Sequence, residues 1–105
     1  MMNIDEKALL ETLKKLGVPV AYMSFKRGKS LPFVVYRGDG VQNFIADNTV
    51  YFSRKKYAVE LYYENKDATL EARLEQLLTN AGYVWTKEED FYIETDRLYM
   101  TVYYI

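Results

Sequence analysis

The chain has 105 residues, with 14 basic and 15 acidic side chains and neither cysteine nor histidine. This length predicts one domain, residues 1–105, around a single core, and the balance of apolar and mixed charged residues excludes a disordered chain. The missing residue types exclude disulfides, thiolate or imidazole metal sites, cysteine nucleophiles and Ser-His pairs. No apolar run approaches the ~18 residues of a membrane span.

Charge is distributed unevenly along the chain. Residues 1–56 contain ten Lys or Arg and five acids, whereas residues 57–105 contain four and ten, so a net charge of −1 conceals a basic and an acidic half. The near-zero total argues against general coating of DNA. The acidic start Met1–Glu6 lacks the features of a targeting signal, which predicts the cytoplasm as the compartment.

The first predicted element is a helix over residues 4–16. Asn3 followed by Glu6 matches a capping box. Apolar residues then recur at three-to-four spacing, and Gly17 with Pro19 favours a stop.

A hairpin is predicted next, because β-branched and aromatic runs at 20–25 and 33–37 flank a polar, glycine-bearing turn at 26–30. The second of these strands is predicted to end at Gly38–Gly40. Residues 41–49 fit either a loop or a short edge strand.

Residues 50–64 form the longest strand-like run, with a bulge or bend predicted at Arg54–Lys56. Its second part alternates, which predicts two faces. The residues predicted to face the core are Tyr57, Val59, Leu61 and Tyr63. Those predicted to face solvent or a partner are Ala58, Glu60, Tyr62 and Glu64.

A second helix is predicted over residues 68–80, with Asp67 as its cap and an apolar stripe ending at Gly82. Three short strands follow, at 83–86, 91–95 and 98–105. The predicted fold class is α+β, with two helices packed on one face of a mostly antiparallel sheet in the order α-β-β-(β)-β-α-β-β-β.

No constellation of side chains predicts catalysis. Glu88-Glu89-Asp90 lacks the alternating ligand spacing and the glycine of a calcium loop, and a solvated turn explains it better. Arg37-Gly38-Asp39-Gly40 lacks the accompanying residues of a phosphate-binding loop. We therefore predict no enzymatic activity, no cofactor and no metal.

Tyrosines and basic residues predict contact surfaces instead. Tyr62, Tyr99 and Tyr103 are expected on the sheet face that two helices cannot cover, where tyrosine favours protein interfaces. Basic residues beside tyrosine-rich strands also fit nucleic-acid binding. The element order through residue 80 even resembles a double-stranded-RNA-binding domain, but the acidic start of the second helix disfavours that interpretation.

The segment from Pro32 to Ile105 resembles a family. The residues that carry the resemblance are Pro32–Tyr36, Gly38–Gly40, Phe44–Asn48, Tyr57–Tyr62, Gly82-Tyr83 and Tyr92–Glu94. They look like small structural proteins of the head–tail (neck) region of long-tailed bacteriophages and prophages, of the tail-terminator or head–tail joining type.

The resemblance implies a non-enzymatic virion assembly protein, made in the host cytoplasm and placed in the virion tail or neck. It implies self-association into a ring, usually a hexamer, and docking to tail-tube and head-connector proteins. The basic and acidic halves would suit a head-to-tail contact between copies. The alternative is a small nucleic-acid-binding or regulatory protein of a mobile element.

Loops and charged runs are the expected contact surfaces. The candidate interface residues are Arg37, Asp39, Asp47, Asn48, Arg54, Lys55, Lys56, Tyr62, Glu88, Glu89, Tyr99 and Tyr103. For Arg54–Lys56 three interpretations stay open, namely a neighbouring subunit, a lumen through which DNA passes, and simple solvation.

Overall fold

The computed structural model of the chain describes residues 5–24 and 30–105. Its elements are α1 (Glu6–Lys14), β1 (Val20–Tyr22), β2 (Phe33–Ala46), β3 (Thr49–Tyr63), α2 (Ala68–Asn80), β4 (Thr86–Lys87), β5 (Phe91–Ile93) and β6 (Leu98–Tyr104). All six strands belong to one sheet, which is mostly antiparallel. The predicted α+β class is confirmed, and the optional strand of the predicted order is the far end of β2.

Helix α2 occupies the predicted residues. Asp67 Oδ1 accepts a hydrogen bond from the Leu70 N–H at 3.0 Å, as a cap does. At the other end Gly82 has a φ of +89°, and the Tyr83 N–H reaches back to the Leu78 carbonyl at 3.0 Å. This termination satisfies the last carbonyls of the helix and explains the predicted stop.

Helix α1 is shorter than the predicted 4–16. Its cap is Asp5, whose Oδ1 accepts a hydrogen bond from the Lys7 N–H at 3.1 Å. Aspartate caps helices about as well as asparagine, so a start two residues after Asn3 is equally compatible with capping. The predicted cap, Asn3, lies outside the described residues.

The strand order is β1-β2-β3-β6-β4, with β5 also paired to β6. β1 runs parallel to β2, with Val20 opposite Val34, so the predicted hairpin of 20–25 with 33–37 is wrong. Parallel neighbours need a crossover connection between the end of one strand and the start of the next, which a tight hairpin turn cannot supply. Most of the predicted turn, 26–30, lies outside the described residues.

β2 and β3 form a long antiparallel hairpin. Its two-residue turn consists of Asp47 and Asn48, with φ values of +53° and +59°. Positive φ at both positions is the signature of a type I′ turn, whose twist matches that of the flanking strands. Asparagine and aspartate tolerate this backbone better than most residues.

A bulge interrupts the hairpin where the sequence predicted a strand end. Asp39 and Gly40 both lie opposite Lys56, and pairing resumes with Val41 opposite Lys55. The prediction that the strand ends at Gly38–Gly40 is therefore wrong, because the bulge bends the ladder without stopping it. The irregularity predicted at Arg54–Lys56 is present, but the extra residue belongs to β2.

β4 and β5 lie end to end along β6. Thr86 pairs with Tyr104 and Phe91 pairs with Met100, which leaves one extra residue in the segment 88–90. Residues 86–93 therefore act as a single, interrupted edge strand. The predicted strand at 83–86 is displaced to Thr86–Lys87.

The core lies between both helices and one face of the sheet. Leucines of α1 and α2 pack against inward residues of β2, β3 and β6; the buried cluster includes Leu9, Leu13, Leu70, Leu74, Leu78, Val34, Tyr36, Tyr57, Val59, Leu61, Tyr63 and Tyr103. The predicted inward residues of β3 are confirmed.

Two tyrosines of β6 face this core, contrary to expectation. Tyr103 is 0% exposed, and Tyr99 stacks on Tyr63 with ring centroids 6.0 Å apart. The prediction that they lie on the uncovered face with Tyr62 is wrong. Both alternating sets of β6 are apolar, so a period of two could not decide which set points inward.

Within the described ranges, no helix is long and apolar enough to cross a membrane.

Truncation of a core leucine tests this arrangement. Leu74 is fully buried between α2 and the sheet, so Leu74→Ala should lower the free energy of unfolding by about 2–5 kcal/mol through lost burial and a residual cavity. Ile45, by contrast, is exposed in the far part of the hairpin, and Ile45→Ala should change it by less than about 0.5 kcal/mol. Urea denaturation measures both, and equal losses would contradict the assigned core.

Candidate functional site

The β2–β3 hairpin continues beyond the helix-covered body as a projecting arm, defined here as residues 39–56. β1 pairs with β2 only as far as Tyr36, and β6 pairs with β3 only from Ala58 onward. Both outer edges of the arm therefore have no strand beside them in the described part of the chain. The molecule measures 50 Å along its longest axis against 28 and 26 Å across.

Exposed apolar side chains concentrate on the arm. Of the ten large apolar residues that are exposed among those described, half lie there: Val41, Ile45, Val50, Tyr51 and Phe52. Tyr51 is 79% exposed because it is the extra residue of a second bulge, opposite the step from Phe44 to Ile45. A concentration of this kind is typical of surfaces that contact another molecule.

A charge network joins the base of the arm to the sheet. Nε of Arg37 donates to Glu60 Oε2 at 3.0 Å, and Nη1 of Arg37 lies 3.7 Å from Asp39 Oδ1. Nζ of Lys56 lies 3.9 Å from Asp39 Oδ2. The structure therefore brings three candidate interface residues together, and they pair with one another.

The outer face of the sheet, opposite the helices, carries Tyr62 as predicted. Its ring stacks on Phe33 with centroids 5.0 Å apart, and its hydroxyl donates to Glu60 Oε1 at 3.0 Å. Burial, reinforced by the charge of Glu60, raises the pKa of Tyr62 to about 12. Met100 lies opposite Tyr62 on the neighbouring strand and adds to this largely apolar face.

An alternating series of acids and lysines, the ion ladder, ties α2 to the β4–β5 edge. In order its members are Asp90, Lys66, Glu71, Lys87 and Glu75. Nζ of Lys66 lies 2.8 Å from both Asp90 and Glu71, and Nζ of Lys87 lies 2.8 Å from both Glu71 and Glu75. Tyr103 extends the ladder into the core by donating its hydroxyl proton to Glu75 Oε2 at 2.7 Å.

Glu71 is the centre of the ladder and is only 2% exposed. Burial acts to raise its pKa, but hydrogen bonds from Lys66 and Lys87 outweigh burial and leave the pKa below its ordinary value. The hydrogen bond from Lys66 likewise lowers the pKa of Asp90. Burial acts to lower the lysine pKa values, but their carboxylate partners raise them overall.

All of these shifts move the pKa values further from pH 7. General acid–base catalysis needs a pKa near the working pH, so the ladder is suited to holding elements together and not to proton transfer. Burial, followed by the hydrogen bond to Glu75, also raises the pKa of Tyr103 and keeps that hydroxyl protonated.

The described residues offer little to a metal or a cofactor. No group of three or more acidic residues in that part of the chain is arranged to hold a metal ion. A shallow cavity of about 240 Å³ lies beside Pro32, Tyr63 and Leu70, and the Asp67 carboxylate at its rim already caps α2.

The remaining candidate interface residues separate into two distant groups. Asp47 and Asn48 are exposed at the tip of the arm, and Arg54 and Lys55 follow on its β3 side. Glu88 and Glu89 are exposed on the β4–β5 edge at the other side of the sheet. Tyr103 has no exposed surface to offer a partner, and Tyr99 packs against the core.

Sequence reasoning missed the apolar surface of the arm. The signal was available, since apolar runs on both sides of Asp47-Asn48 predict a two-residue hairpin. The Gly38–Gly40 segment obscured it, because glycine-rich runs more often end a strand than form a bulge within one. The ion ladder was also missed, since its members are far apart in the sequence.

Compared with known proteins, the chain matches neither a protein-family model nor a curated protein.

The ion ladder predicts an acid-sensitive stability. Because the pKa values of Glu71 and Asp90 are lower in the folded chain, their stabilisation is complete above the unfolded values, near 4.5 and 3.8, and is lost as the pH falls through the folded values. We expect the free energy of unfolding, measured by urea titration, to decrease below about pH 4.5. Glu71→Gln should make this decrease shallower.

Glu89→Gln is the matched control for that prediction. Glu89 is exposed and lies outside the ladder, so this variant should keep the pH dependence of the wild-type chain. An identical acid slope in wild type and Glu71→Gln would show that the ladder does not govern acid stability.

Proposed function

We propose that this chain is a non-enzymatic assembly protein that acts by associating with copies of itself and with other proteins. The observation that carries the proposal is the arm, which projects from a compact body and presents exposed apolar side chains such as Ile45 and Tyr51. Neither the core nor the ion ladder requires the arm. A folded body that carries such an extension is suited to contact with a partner.

Two further surfaces support the same function. The outer face presents Phe33, Tyr62 and Met100 around an Arg37–Glu60 ion pair. The β4–β5 edge presents Phe91 and Tyr92 with unpaired outer backbone groups among the described strands. Sheet edges of this kind pair readily with strands of other chains.

The resemblance to phage neck proteins gives the proposal its specific form. In that form the chain is a tail-terminator or head–tail joining component that forms a ring, usually a hexamer, and docks to tail-tube and head-connector proteins. Its place of action is the host cytoplasm during assembly and then the virion tail or neck. The separation of basic arm residues from acidic edge residues supports a head-to-tail contact.

The arm variant Ile45→Ser, Val50→Ser, Tyr51→Ser tests the proposal. All three side chains are exposed, so the substitutions should change the free energy of unfolding by no more than about 1 kcal/mol. They should weaken self-association about tenfold or more, because apolar anchors contribute most of the energy of an interface. Light scattering over a wide concentration range measures the molar mass.

Val84→Ser is the matched control, since Val84 is 83% exposed and lies off the arm. It should leave the association of the wild-type chain unchanged. An arm variant that associates as tightly as wild type would contradict the role assigned to the arm.

One observation favours nucleic-acid binding as a second candidate. Tyr51 and Phe52 are exposed beside Arg54 and Lys55, and single strands bind to surfaces that combine stacking rings with positive charge. In this second candidate function, the chain is a small nucleic-acid-binding or regulatory protein of a mobile element. The parallel β1–β2 pair argues against a double-stranded-RNA-binding domain, which the order of elements had suggested.

A salt titration separates the two candidates. An assembly protein should show little affinity for DNA or RNA oligonucleotides at physiological salt, and self-association should not depend on them. The double variant Arg54→Gln, Lys55→Gln should then bind the oligonucleotides as weakly as the wild-type chain does. A strict monomer that binds nucleic acid with an affinity falling steeply as salt rises would overturn the assembly function.

A further inference from the structure

Two edges of the sheet are similar in length and complementary in charge. One is the outer edge of the arm formed by residues 50–56 of β3, and the other is the outer edge of residues 88–93 on the β4–β5 side. Neither edge has a strand beside it in the described residues. Each spans about the length of an ordinary strand.

The order of residues along the two edges is reversed. On β3, the apolar residues Val50–Phe52 precede the basic residues Arg54–Lys56. On the other edge, the acidic residues Glu88–Asp90 precede the apolar residues Phe91–Ile93. An antiparallel alignment with Phe52 opposite Phe91 therefore sets Val50–Phe52 against Phe91–Ile93, and sets Arg54 and Lys55 against Glu89 and Glu88.

Only this side of the arm has the complementary pattern. The opposite arm edge, residues 41–46 of β2, contains no charged residue. Within a single chain, β6 lies between β3 and the β4–β5 edge, so these two edges cannot pair with each other. The complement must therefore come from a second copy.

We infer that the arm of one copy adds as an antiparallel strand to the β4–β5 edge of a second copy, with Arg54 and Lys55 beside Glu88 and Glu89. The inference rests on the proposed function and names its partner surface. Backbone hydrogen bonds between the edges supply affinity, and the charges fix direction and register. Apolar contact between Val50–Phe52 and Phe91–Ile93 removes exposed apolar surface from water on both sides.

Such a contact joins two different surfaces of the same chain. Each copy keeps one unused arm and one unused edge, so the contact repeats until a ring closes or a chain of subunits grows. The sheet continues across each junction.

Reciprocal charge reversal tests the pairing. The arm variant Arg54→Glu, Lys55→Glu and the edge variant Glu88→Lys, Glu89→Lys should each associate with itself about tenfold or more weakly than wild type, because like charges then face each other. An equimolar mixture of the two should associate again, since every junction regains opposite charges. Lys14→Glu with Lys15→Glu, at exposed positions where α1 ends, is the matched control and should associate as wild type does.

Cysteine cross-linking tests the register independently of affinity. The chain has no cysteine, so a disulfide can form only between introduced thiols. Phe52→Cys mixed with Phe91→Cys at millimolar protein under mild oxidation should form a mixed dimer, because residues directly opposite in a sheet lie within disulfide range. Phe52→Cys alone should form far less disulfide-linked dimer.

The results distinguish this pairing from the general function. If wild type associates but the mixture of charge variants does not recover, the pairing is overturned and the assembly function survives. A faster dimer from Phe52→Cys alone would show arm-to-arm pairing and overturn the inference. Absence of both cross-linking and association at millimolar protein would overturn the pairing and the self-association together.

Discussion

The β2–β3 hairpin is longer than the helices can cover, and the rest of the molecule follows from that mismatch. Strands of 14 and 15 residues extend ~45–50 Å at about 3.3 Å per residue. The 13 residues of α2 extend only ~20 Å, and α1 is shorter still. The helix-covered part becomes a body with a core, and the remainder must stand in solvent as the arm.

The body is closed by two different kinds of interaction. Leucines of both helices pack on inward tyrosines and valines of the sheet, which supplies the apolar burial. At the far side of α2, where β4 and β5 add little apolar contact, the ion ladder fastens the helix to the sheet edge through Lys66 and Lys87. A buried carboxylate such as Glu71 is tolerated there because two ammonium groups compensate for its lost hydration.

Sequence alone predicted the elements whose pattern is local and unambiguous. α2 was predicted to the residue because its cap, its leucine stripe and its terminal glycine all agree. The direction of β1 was not predictable, since the same alternation serves parallel and antiparallel neighbours. Tyr99 and Tyr103 were assigned to the wrong face because β6 is apolar on both sides. Of the candidate interface residues, five are exposed on the arm or the β4–β5 edge, and three on the arm are half-buried; the exposed ones are Asp47, Asn48, Lys55, Glu88 and Glu89, and the half-buried ones are Asp39, Arg54 and Lys56.

The bulge at Asp39 and Gly40 separates two parts of one hairpin, one buried in the core and one exposed. On its near side, residues such as Val34 and Val59 are fully buried, and a change of one methyl group would be felt throughout the core. On its far side, side chains contact only their neighbours across the hairpin, as Phe44 and Phe52 do with ring centroids 5.5 Å apart, and are otherwise exposed to solvent. Substitutions can therefore accumulate along the arm while folding stability stays nearly constant, so that the surface chemistry of the arm is free to change without passing through unfolded intermediates.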